Sequence, residues 1–338
     1  MKPKYIQIET ISVCNQRCYF CPVSMDKRTR NTLPLERVEQ IIAGLHDYPV
    51  EVVAISGFTE PTFDKQLVEK VMAIRDAGYK VSIYSNGSGL KPALTDRLLA
   101  TGVSSFTFNL STLDETQYKQ TRGTKDLHRV LPNLDYLLAQ PQVQNGDTEV
   151  TVVVVGALDA QHAENIQMIR KRFANTAVAK IWIIPMVEFA GKKDQGLLPV
   201  PVRHEKLRGC LWQRDQKWMH FDAKGEAIFC CHDYFSDYKM GNISKMSVDE
   251  IYRGEPVNQW RRWLSGEEEA PDNFMCRRCA YAVTDNHADY LRQTFCSRCV
   301  LPDLLGGVEH SCQQCGDVGL VLNMMEKRPE LYPHLQTE

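Results

Sequence analysis

The sequence predicts an α/β protein, a largely parallel sheet flanked by helices, with a small cysteine-rich extension at its C-terminal end. Strand-like and helix-like segments alternate along residues 1–190. The fifth strand-like run contains VTVVVV at 150–155, which suits a parallel strand buried on both faces. Beyond Gly191 the composition changes, because nine of the twelve cysteines and four of the five tryptophans follow it.

The alternation is regular enough to place each element. Strand-like runs are predicted at 5–12, 50–56, 80–85, 104–110, 148–156 and 179–186. Helix-like stretches are predicted between them at 35–45, 64–77, 92–101, 127–139 and 160–173. This order favours a parallel sheet with helices outside, but periodicity alone does not separate an open sheet from a barrel. The following stretch, 192–201, has the composition of a linker.

Composition excludes several classes of function. The 338 residues are 43% hydrophobic and 24% charged, which is ordinary for a globular domain protein. The net charge is −2 and the longest basic run is only 170–172, so nucleic acid is an improbable partner. No apolar segment approaches the ~18 residues that span a bilayer. The N-terminus lacks the apolar core of a signal peptide, so we expect a cytoplasmic protein without a membrane partner.

Twelve cysteines in a cytoplasmic protein favour metal binding over disulfides. The first group is Cys14, Cys18 and Cys21, in the loop after the first strand-like run. Three thiolates are one fewer than the four that complete an iron–sulfur cluster, so one iron would remain open to another ligand. Three buried structural thiols are an alternative. Zinc is another, although zinc sites favour closed shells of four ligands and no fourth cysteine lies nearby.

This loop resembles the CxxxCxΦC signature of the radical S-adenosylmethionine (SAM) enzymes, with Phe20 at the aromatic position. The resemblance implies a partial (β/α)6 TIM-like barrel whose [4Fe–4S] cluster binds the amino and carboxylate groups of SAM. It also implies a reducing partner such as flavodoxin or ferredoxin. One electron would lead to cleavage of SAM into methionine and a 5′-deoxyadenosyl radical, which abstracts a hydrogen atom from the substrate.

Segments at successive strand ends extend the resemblance. Residues 56–61 resemble the family's GGE segment, with Thr59 as a departure, and imply that Gly57 and Glu60 bind SAM. Asn86 lies in a segment like the family's TNG, and Asn109, or alternatively Ser111, matches a contact to the SAM ribose or carboxylate. The segment 118–123 looks like a turn found in SPASM-type members. Taken singly, each is also compatible with an ordinary turn carrying solvated polar groups.

A second group of cysteines resembles the SPASM/Twitch extension of the same family. A cysteine precedes a predicted hairpin with the turn 222–225, a cysteine ends that hairpin, and a CxxC pair follows. The implied ligands of an auxiliary [4Fe–4S] cluster are Cys210, Cys230, Cys276 and Cys279, with Cys231 as the alternative to Cys230. Residues 280–295 contain no cysteine, which favours a one-cluster, Twitch-like module. The same four ligands could instead hold zinc.

Two further CxxC pairs, Cys296/Cys299 and Cys312/Cys315, have the spacing of zinc-ribbon knuckles that share one ion. Zinc is therefore predicted there, with a further iron–sulfur cluster as the alternative. The first pair also looks like the knuckle of N-acetyl-sugar amidotransferase-like proteins, over about one turn. The expected organisation is a core barrel at 1–195, an auxiliary-cluster module at 196–288 and a knuckle segment with a tail at 289–338.

These observations point to a radical SAM oxidoreductase or modifying enzyme whose substrate is not identified. Only thirteen residues precede Cys14, which leaves no room there for a peptide-recognition domain and favours a sugar-like or other small intermediate. A peptide- or protein-modifying SPASM-type maturase is the alternative. A zinc-binding interaction protein on an inactive barrel is the alternative from another class. Glu188, His232 and Asp233 could face the cavity, or be ordinary polar residues, so no catalytic acid or base is assigned.

Overall fold

The computed structural model describes residues 2–26, 28–192, 203–286, 290 and 299–305. Six strands of the first half run parallel, each hydrogen-bonded to the next in sequence order. These strands are β1 (Tyr5–Ile8), β2 (Val52–Ile55), β3 (Lys80–Ser85), β4 (Ser105–Asn109), β5 (Glu149–Gly156) and β6 (Val178–Pro185).

The extension continues this sheet on the other side of β1. Its strands are β7 (Gly209–Cys210), β8 (Trp218–Phe221), β9 (Glu226–Ile228), β10 (Lys239–Asn242) and β11 (Ala282–Val283). The sheet order is β10-β9-β8-β1-β2-β3-β4-β5-β6, with β8 parallel to β1. Within the described strands β6 pairs only with β5, so the sheet does not close. The predicted α/β class and partial barrel with an extension are thereby confirmed.

The helices include the five predicted between the strands, three unpredicted single turns of four residues and two longer unpredicted helices. They are α1 (Leu35–Ala43), α2 (Leu67–Asp76), α3 (Pro92–Ala100), α4 (Glu115–Arg122), α5 (Leu127–Leu138), α6 (Pro141–Gln144), α7 (Ala160–Phe173), α8 (Arg214–Lys217), α9 (Val248–Arg253), α10 (Glu255–Ser265) and α11 (Leu301–Leu304). The sequence did not predict α4 or α10. In α4 the reason is its polar composition, since only Tyr118 and Arg122 are buried. The residues at its two ends are instead typical of helix termini: Asp114 caps the N-terminus, and Gly123 ends the helix at φ 69°.

The core of the barrel lies between the sheet and its helices. Val150, Val152 and Val154 of β5 are fully buried, and Val153 on the opposite face is only 5% exposed. Burial on both faces explains the uninterrupted valine run, because each face of a parallel strand contacts apolar side chains.

The extension begins with the predicted hairpin of β8 and β9. Its turn is held by the Asp222 carboxylate, which accepts hydrogen bonds from the amides of Lys224 and Glu226 at 2.8 and 3.0 Å. Gly225 takes φ 78°, which a side chain would disfavour. The hairpin therefore forms from local turn chemistry, and its pairing with β1 fixes the cysteines that follow it close to the barrel.

Further along the chain, α11 packs on α7. The amide of Val300 donates to the carbonyl of Leu158 at 3.0 Å, and Leu301 is 1% exposed. No helix in the described part of the chain has both the length and the apolar character needed to cross a membrane.

Candidate active site

The first cysteine group lies in the loop after β1, at the carboxyl ends of the parallel strands. The loop is pinned to the end of α4, because the amides of Arg17 and Tyr19 donate to the carbonyls of Arg122 and Thr121, each at 2.9 Å. Gly123 allows this approach, since a Cβ there would lie 3.3 Å from the Arg17 Cβ. The loop conformation thus depends on a helix about a hundred residues away.

The three thiols are close enough to influence one another. Burial raises the pKa of Cys14 to about 12, and Glu60, Cys18 and Cys21 add to that shift as neighbouring negative charges. No disulfide involves any of these cysteines, and the amide of Gln16 donates to the Cys14 Sγ at 3.4 Å. A group of soft sulfur donors held together in this way fits an iron–sulfur centre by its ligand chemistry.

A cavity of about 270 Å³ opens beside this loop. Its wall includes residues from successive strand ends and gathers most of the predicted SAM-binding positions. They are Phe20, Gly57, Glu60, Asn86 and Asn109, together with the three cysteines. Ser111 lines a smaller neighbouring cavity of about 70 Å³, which shares Phe20 and Val155 with the first.

Glu60 is 1% exposed, and its carboxylate ties β2 to β3. One oxygen accepts from the Ser85 hydroxyl and the Thr62 hydroxyl, each at 2.7 Å, and the other accepts from the Asn86 amide at 2.7 Å. Burial raises the pKa of Glu60, while these hydrogen bonds oppose the shift. The carboxylate therefore fixes the strand ends around the cavity in addition to lining it.

Gly57 is required by a close approach as well as by its backbone angle. It takes φ 139°, and a Cβ would lie 2.7 Å from the Glu9 carboxylate. Glu9 is itself buried and forms a two-pronged pair with Arg28, at 2.7 and 2.5 Å. It also accepts from the Phe58 amide at 2.8 Å. Gly57 thus lets the loop after β2 fold down onto this buried ion pair.

Asn86 connects β3 to the cysteine loop. Its side-chain amide donates to Asn15 at 2.8 Å and lies 3.8 Å from the Cys14 Sγ. Asn109 and Ser111, at the end of β4, are also hydrogen-bonded to each other at 2.8 Å. Ser111 takes φ 63°, and its hydroxyl accepts from the Val155 amide at 3.1 Å, which links β4 to β5.

Arg122 joins these groups, and sequence reasoning did not select it. It is 1% exposed, and it donates to the Cys18 Sγ at 3.3 Å and to Asn109 at 2.7 Å. Its guanidinium lies 4.8 Å from the centre of the Phe20 ring. Its Nε is buried and has no hydrogen-bond partner among the described groups. The only sequence signal was its place before Gly123 in the family-like turn.

The second cysteine group is gathered by the extension. Antiparallel pairing of β7 with β11 sets Cys210 opposite Ala282, and the chain between β9 and β10 carries Cys230. Cys276 and Cys279 lie on and just after a short 3-10 turn, Met275–Arg278. Burial holds the pKa of Cys276 well above its ordinary value, and Cys279, Cys230 and Cys210 raise it further.

The choice between Cys230 and Cys231 is informed by these neighbours. Cys230 raises the pKa values of Cys210, Cys276 and Cys279, whereas Cys231 is not among the groups that shift those three most strongly. A hydrogen bond with Cys230 instead lowers the pKa of Cys231 to about 7. Cys210 and Cys279 also raise the pKa of Cys231, so both neighbouring thiols lie near the other cysteines and Cys231 stays the alternative to Cys230.

Four polar side chains near this group were not assigned a role from the sequence. Arg214 contacts the Nε2 atom of His232 at 3.1 Å. His220 is 1% exposed, and neither of its ring nitrogens has a partner within the described residues. Burial first, and the Arg214 charge second, lower the pKa of His220 to about 3. Asp233 serves the local turn, accepting from the amides of Asp237 and Tyr238.

A series of ring contacts connects the two cysteine groups. Phe58 lines the first cavity and packs on Phe189 at 5.6 Å between centres. Phe189 packs on His232 at 5.2 Å, and His232 on Tyr281 at 5.5 Å. The Tyr281 amide donates to the Cys279 Sγ at 3.4 Å. A continuous series of aromatic contacts therefore runs from the first cavity to the second cysteine group.

Across the described ranges, no three Cys, His, Asp or Glu side chains meet the geometry of a single-ion site. Of the predicted C-terminal knuckles, only Cys299 is described, and it is partly exposed. Cys296, Cys312 and Cys315 lie outside the described residues, so zinc at the knuckles stays a prediction.

Two family models match the chain. Residues 8–173 match the radical SAM superfamily, and residues 210–280 match the iron–sulfur cluster-binding domain called SPASM. The first interval contains Cys14, Cys18 and Cys21. The second contains the predicted hairpin and, near its C-terminal end, the CxxC pair Cys276/Cys279. These matches confirm the cofactors expected from the sequence, namely SAM, a [4Fe–4S] cluster and auxiliary iron–sulfur binding.

Individual relatives are more distant. A "Probable GTP 3',8-cyclase" of Pyrococcus abyssi is 27% identical over 130 residues, covering 38% of this chain and 42% of that protein. The chain thus spans less than half the length of this curated relative.

Solved structures share the fold at low identity. BtrN in complex with AdoMet and 2-DOIA has a TM-score of 0.54 at 17% identity, over 82% of this chain and 94% of that one. Streptococcus suis SuiB bound to precursor peptide SuiA has a TM-score of 0.63 at 17% identity, over 82% of this chain and 70% of that one.

Proposed function

Because the chain belongs to the radical SAM superfamily and carries a SPASM-type auxiliary iron–sulfur domain, we propose that it is an oxidoreductase or modifying enzyme acting on a small molecule. When bound, the cluster and SAM supply a 5′-deoxyadenosyl radical that abstracts a hydrogen atom from the substrate. Cys14, Cys18 and Cys21 would hold this cluster. A flavodoxin-type or ferredoxin-type protein is the proposed electron donor.

One observation carries the proposal: three mutually close thiols and several polar strand-end groups surround a single cavity. Active sites of parallel barrels lie at this end of the strands. Rigid strand ends can hold a cofactor more precisely than a free loop can, because Glu60 and Asn86 are locked by hydrogen bonds to the chain itself.

Arg122 supports SAM as the occupant of this cavity. Its unpartnered Nε is a buried donor, and such groups incur a desolvation cost unless a ligand accepts the hydrogen bond. The carboxylate of SAM is an acceptor with the complementary charge. Since Arg122 already contacts Cys18, a carboxylate bound to it would lie next to the cysteine loop.

A small substrate is favoured over a peptide by the size of the cavity beside the cysteine loop, about 270 Å³. The ring series from Phe58 to Tyr281 joins barrel and extension beside this cavity. A sugar-like or similarly compact intermediate fits beside SAM more readily. The fold itself serves both classes of complex, since BtrN is seen with AdoMet and 2-DOIA and SuiB with a precursor peptide.

The auxiliary centre is proposed at Cys210, Cys230, Cys276 and Cys279. The proposed segments are a core at 1–195, an auxiliary module at 196–288 and a knuckle segment at 289–338. The SPASM match at 210–280 falls within the second segment, which supports that boundary.

The test is anaerobic reconstitution with iron, sulfide, SAM and dithionite, followed by measurement of 5′-deoxyadenosine. Cys18→Ala is expected to abolish product, whereas Met25→Ala, at an exposed side chain near the same loop, should retain it. Small metabolites and peptides are then compared as stimulants of turnover. Absence of 5′-deoxyadenosine with every candidate would overturn the enzyme proposal, and absence of SAM binding by calorimetry would favour a zinc-binding interaction protein.

A further inference from the structure

Arg214 is a charged residue near the second cysteine group, and the proposed function gives it no role. It follows Cys210 by four positions, and a tight turn brings it back towards that cysteine. Gln213 makes the turn with φ 51°, and its amide donates to the Cys210 carbonyl at 2.9 Å. The turn therefore places the first residue of α8 beside the thiols.

Two aromatic rings hold the Arg214 guanidinium. Its carbon lies 5.6 Å from the centre of the Trp212 ring and 5.3 Å from that of Tyr281. Contacts of this kind orient a cation without neutralising its charge. Arg214 thus has a defined position and retains its full positive charge there.

The neighbours of Arg214 also contact the cysteines. His232, which receives its hydrogen bond, donates its own amide to the Cys230 Sγ at 3.5 Å. Tyr281, which lies over the guanidinium, donates its amide to the Cys279 Sγ at 3.4 Å. The Arg214 guanidinium therefore lies between two segments of the chain, and each segment contains a proposed cluster ligand, Cys230 in one and Cys279 in the other.

Arg214 forms no ion pair with a carboxylate in the described part of the chain. The adjacent Asp215 interacts with a different cation, Arg261. Arg214 is partly buried, and a guanidinium without a carboxylate partner is costly there unless its neighbourhood supplies negative charge in another form. Four cysteine thiolates around an iron–sulfur cluster would supply it.

We propose that Arg214 is a positioning residue of the auxiliary centre that raises the reduction potential of the cluster held by Cys210, Cys230, Cys276 and Cys279. This inference rests on the proposed function. Reduction adds one electron, and no proton, so it makes the centre more negative by one unit. A fixed cation nearby stabilises that reduced state, and net charge and hydrogen bonds to sulfur are known levers on such potentials.

A more easily reduced auxiliary centre would suit the oxidation of a substrate radical. The electron would pass from the substrate side, across the aromatic contacts, to a centre that Arg214 makes a better acceptor. The substrate would lose one electron at this step and the centre would gain it.

The experiment is a spectroscopic redox titration of the reconstituted full chain with Cys14, Cys18 and Cys21 all changed to Ala. Only the auxiliary centre can then contribute. Arg214→Gln should lower its midpoint potential by at least the ~59 mV that corresponds to a tenfold change in a one-electron equilibrium. Arg214→Lys should shift it by less than half as much, since it keeps the charge.

Arg278→Gln is the matched control. Arg278 lies between Cys276 and Cys279 in sequence, but it is exposed and packs against Gly191 on the outer surface. Its removal should leave the potential close to that of the parent. An unchanged potential in Arg214→Gln, or an equal shift in Arg278→Gln, would overturn the inference.

Iron content separates the remaining outcomes. If Arg214→Gln loses iron, the inference requires that Arg214→Lys keeps both the iron and a near-parental potential. Loss of iron from both variants would make Arg214 a structural residue and refute a role in tuning. No iron in the parent triple variant would instead refute the auxiliary centre, and with it that part of the proposed function.

Discussion

Arg122 is fully buried and still reaches the cysteine loop, the end of β4 and two aromatic rings. Its donors are directed by Asn109, Ser111 and the Leu110 carbonyl, at 2.7, 2.9 and 3.0 Å. One side chain thereby aligns the strand end and the loop that together form the cavity wall.

Replacement of Arg122 should weaken SAM binding more than it weakens the fold. A charge-assisted hydrogen bond contributes roughly 1.5–3 kcal/mol, so Arg122→Met should lower SAM affinity by about one to two orders of magnitude. Calorimetry on the reconstituted protein measures this change, and Arg122→Lys should recover part of it. Unaltered affinity in Arg122→Met, with iron content at the parental level, would contradict a role at the SAM carboxylate.

At the level of elements, the start of α2 is anchored by a buried ion pair. Lys70 is fully buried, and its Nζ lies 2.6 Å from the Asp64 carboxylate. The other Asp64 oxygen accepts from the Gln66 amide at 3.0 Å. Because Asp64 follows the turn begun by Glu60, the pair connects α2 to the loop that lines the cavity.

Breaking this pair should be strongly destabilising. Lys70→Met leaves a buried carboxylate without its counter-ion, a change that typically costs about 3–5 kcal/mol. Denaturant unfolding compares this variant with Lys70→Met/Asp64→Asn, in which no buried charge remains. The double variant should be the more stable of the two. Equal losses would show that packing volume, and not the unpaired charge, determines the cost.

For the whole molecule, residues 300–305 pack on the barrel. Leu301 and Leu305 are buried with α7, and Val300 bonds to Leu158, a non-glycine residue at φ 65°. Leu158 also donates its amide to the buried His162 at 3.2 Å. This contact supports the loop between β5 and α7, which forms one wall of the smaller cavity beside Phe20.

Leu301→Asp should loosen that loop, whereas Leu304→Asp should not. Leu301 is 1% exposed and Leu304 is 47% exposed, so the pair is matched in chemistry and differs in burial. Full burial of a leucine contributes about 1.5–3 kcal/mol, and amide hydrogen exchange at 156–163 should accelerate accordingly in Leu301→Asp. Equal exchange in the two variants would argue against the contact as a support.

Local patterns predicted most of the elements and the cofactor type of the first two cysteine groups. The strand and helix positions followed from apolar periodicity, and their bounds in the structure differ from expectation by a few residues. Helix α4 was missed because its face is polar, yet it carries the arginine that reaches Cys18. The assignment of individual cluster ligands stays a prediction.

By itself, the sequence determined the parallel β/α order and the cysteine-rich extension, because spacing and periodicity are properties of neighbouring residues. The barrel and the kind of cofactor chemistry followed from the resemblance of its cysteine motifs to a known family. Only the tertiary structure decided which charged side chains lie close to the two cysteine groups. Arg122 reaches Cys18 across 104 positions, and the rings between the groups come from segments far apart in the chain. Such contacts depend on how strands and helices pack, and packing at long range leaves no pattern in a single stretch of sequence.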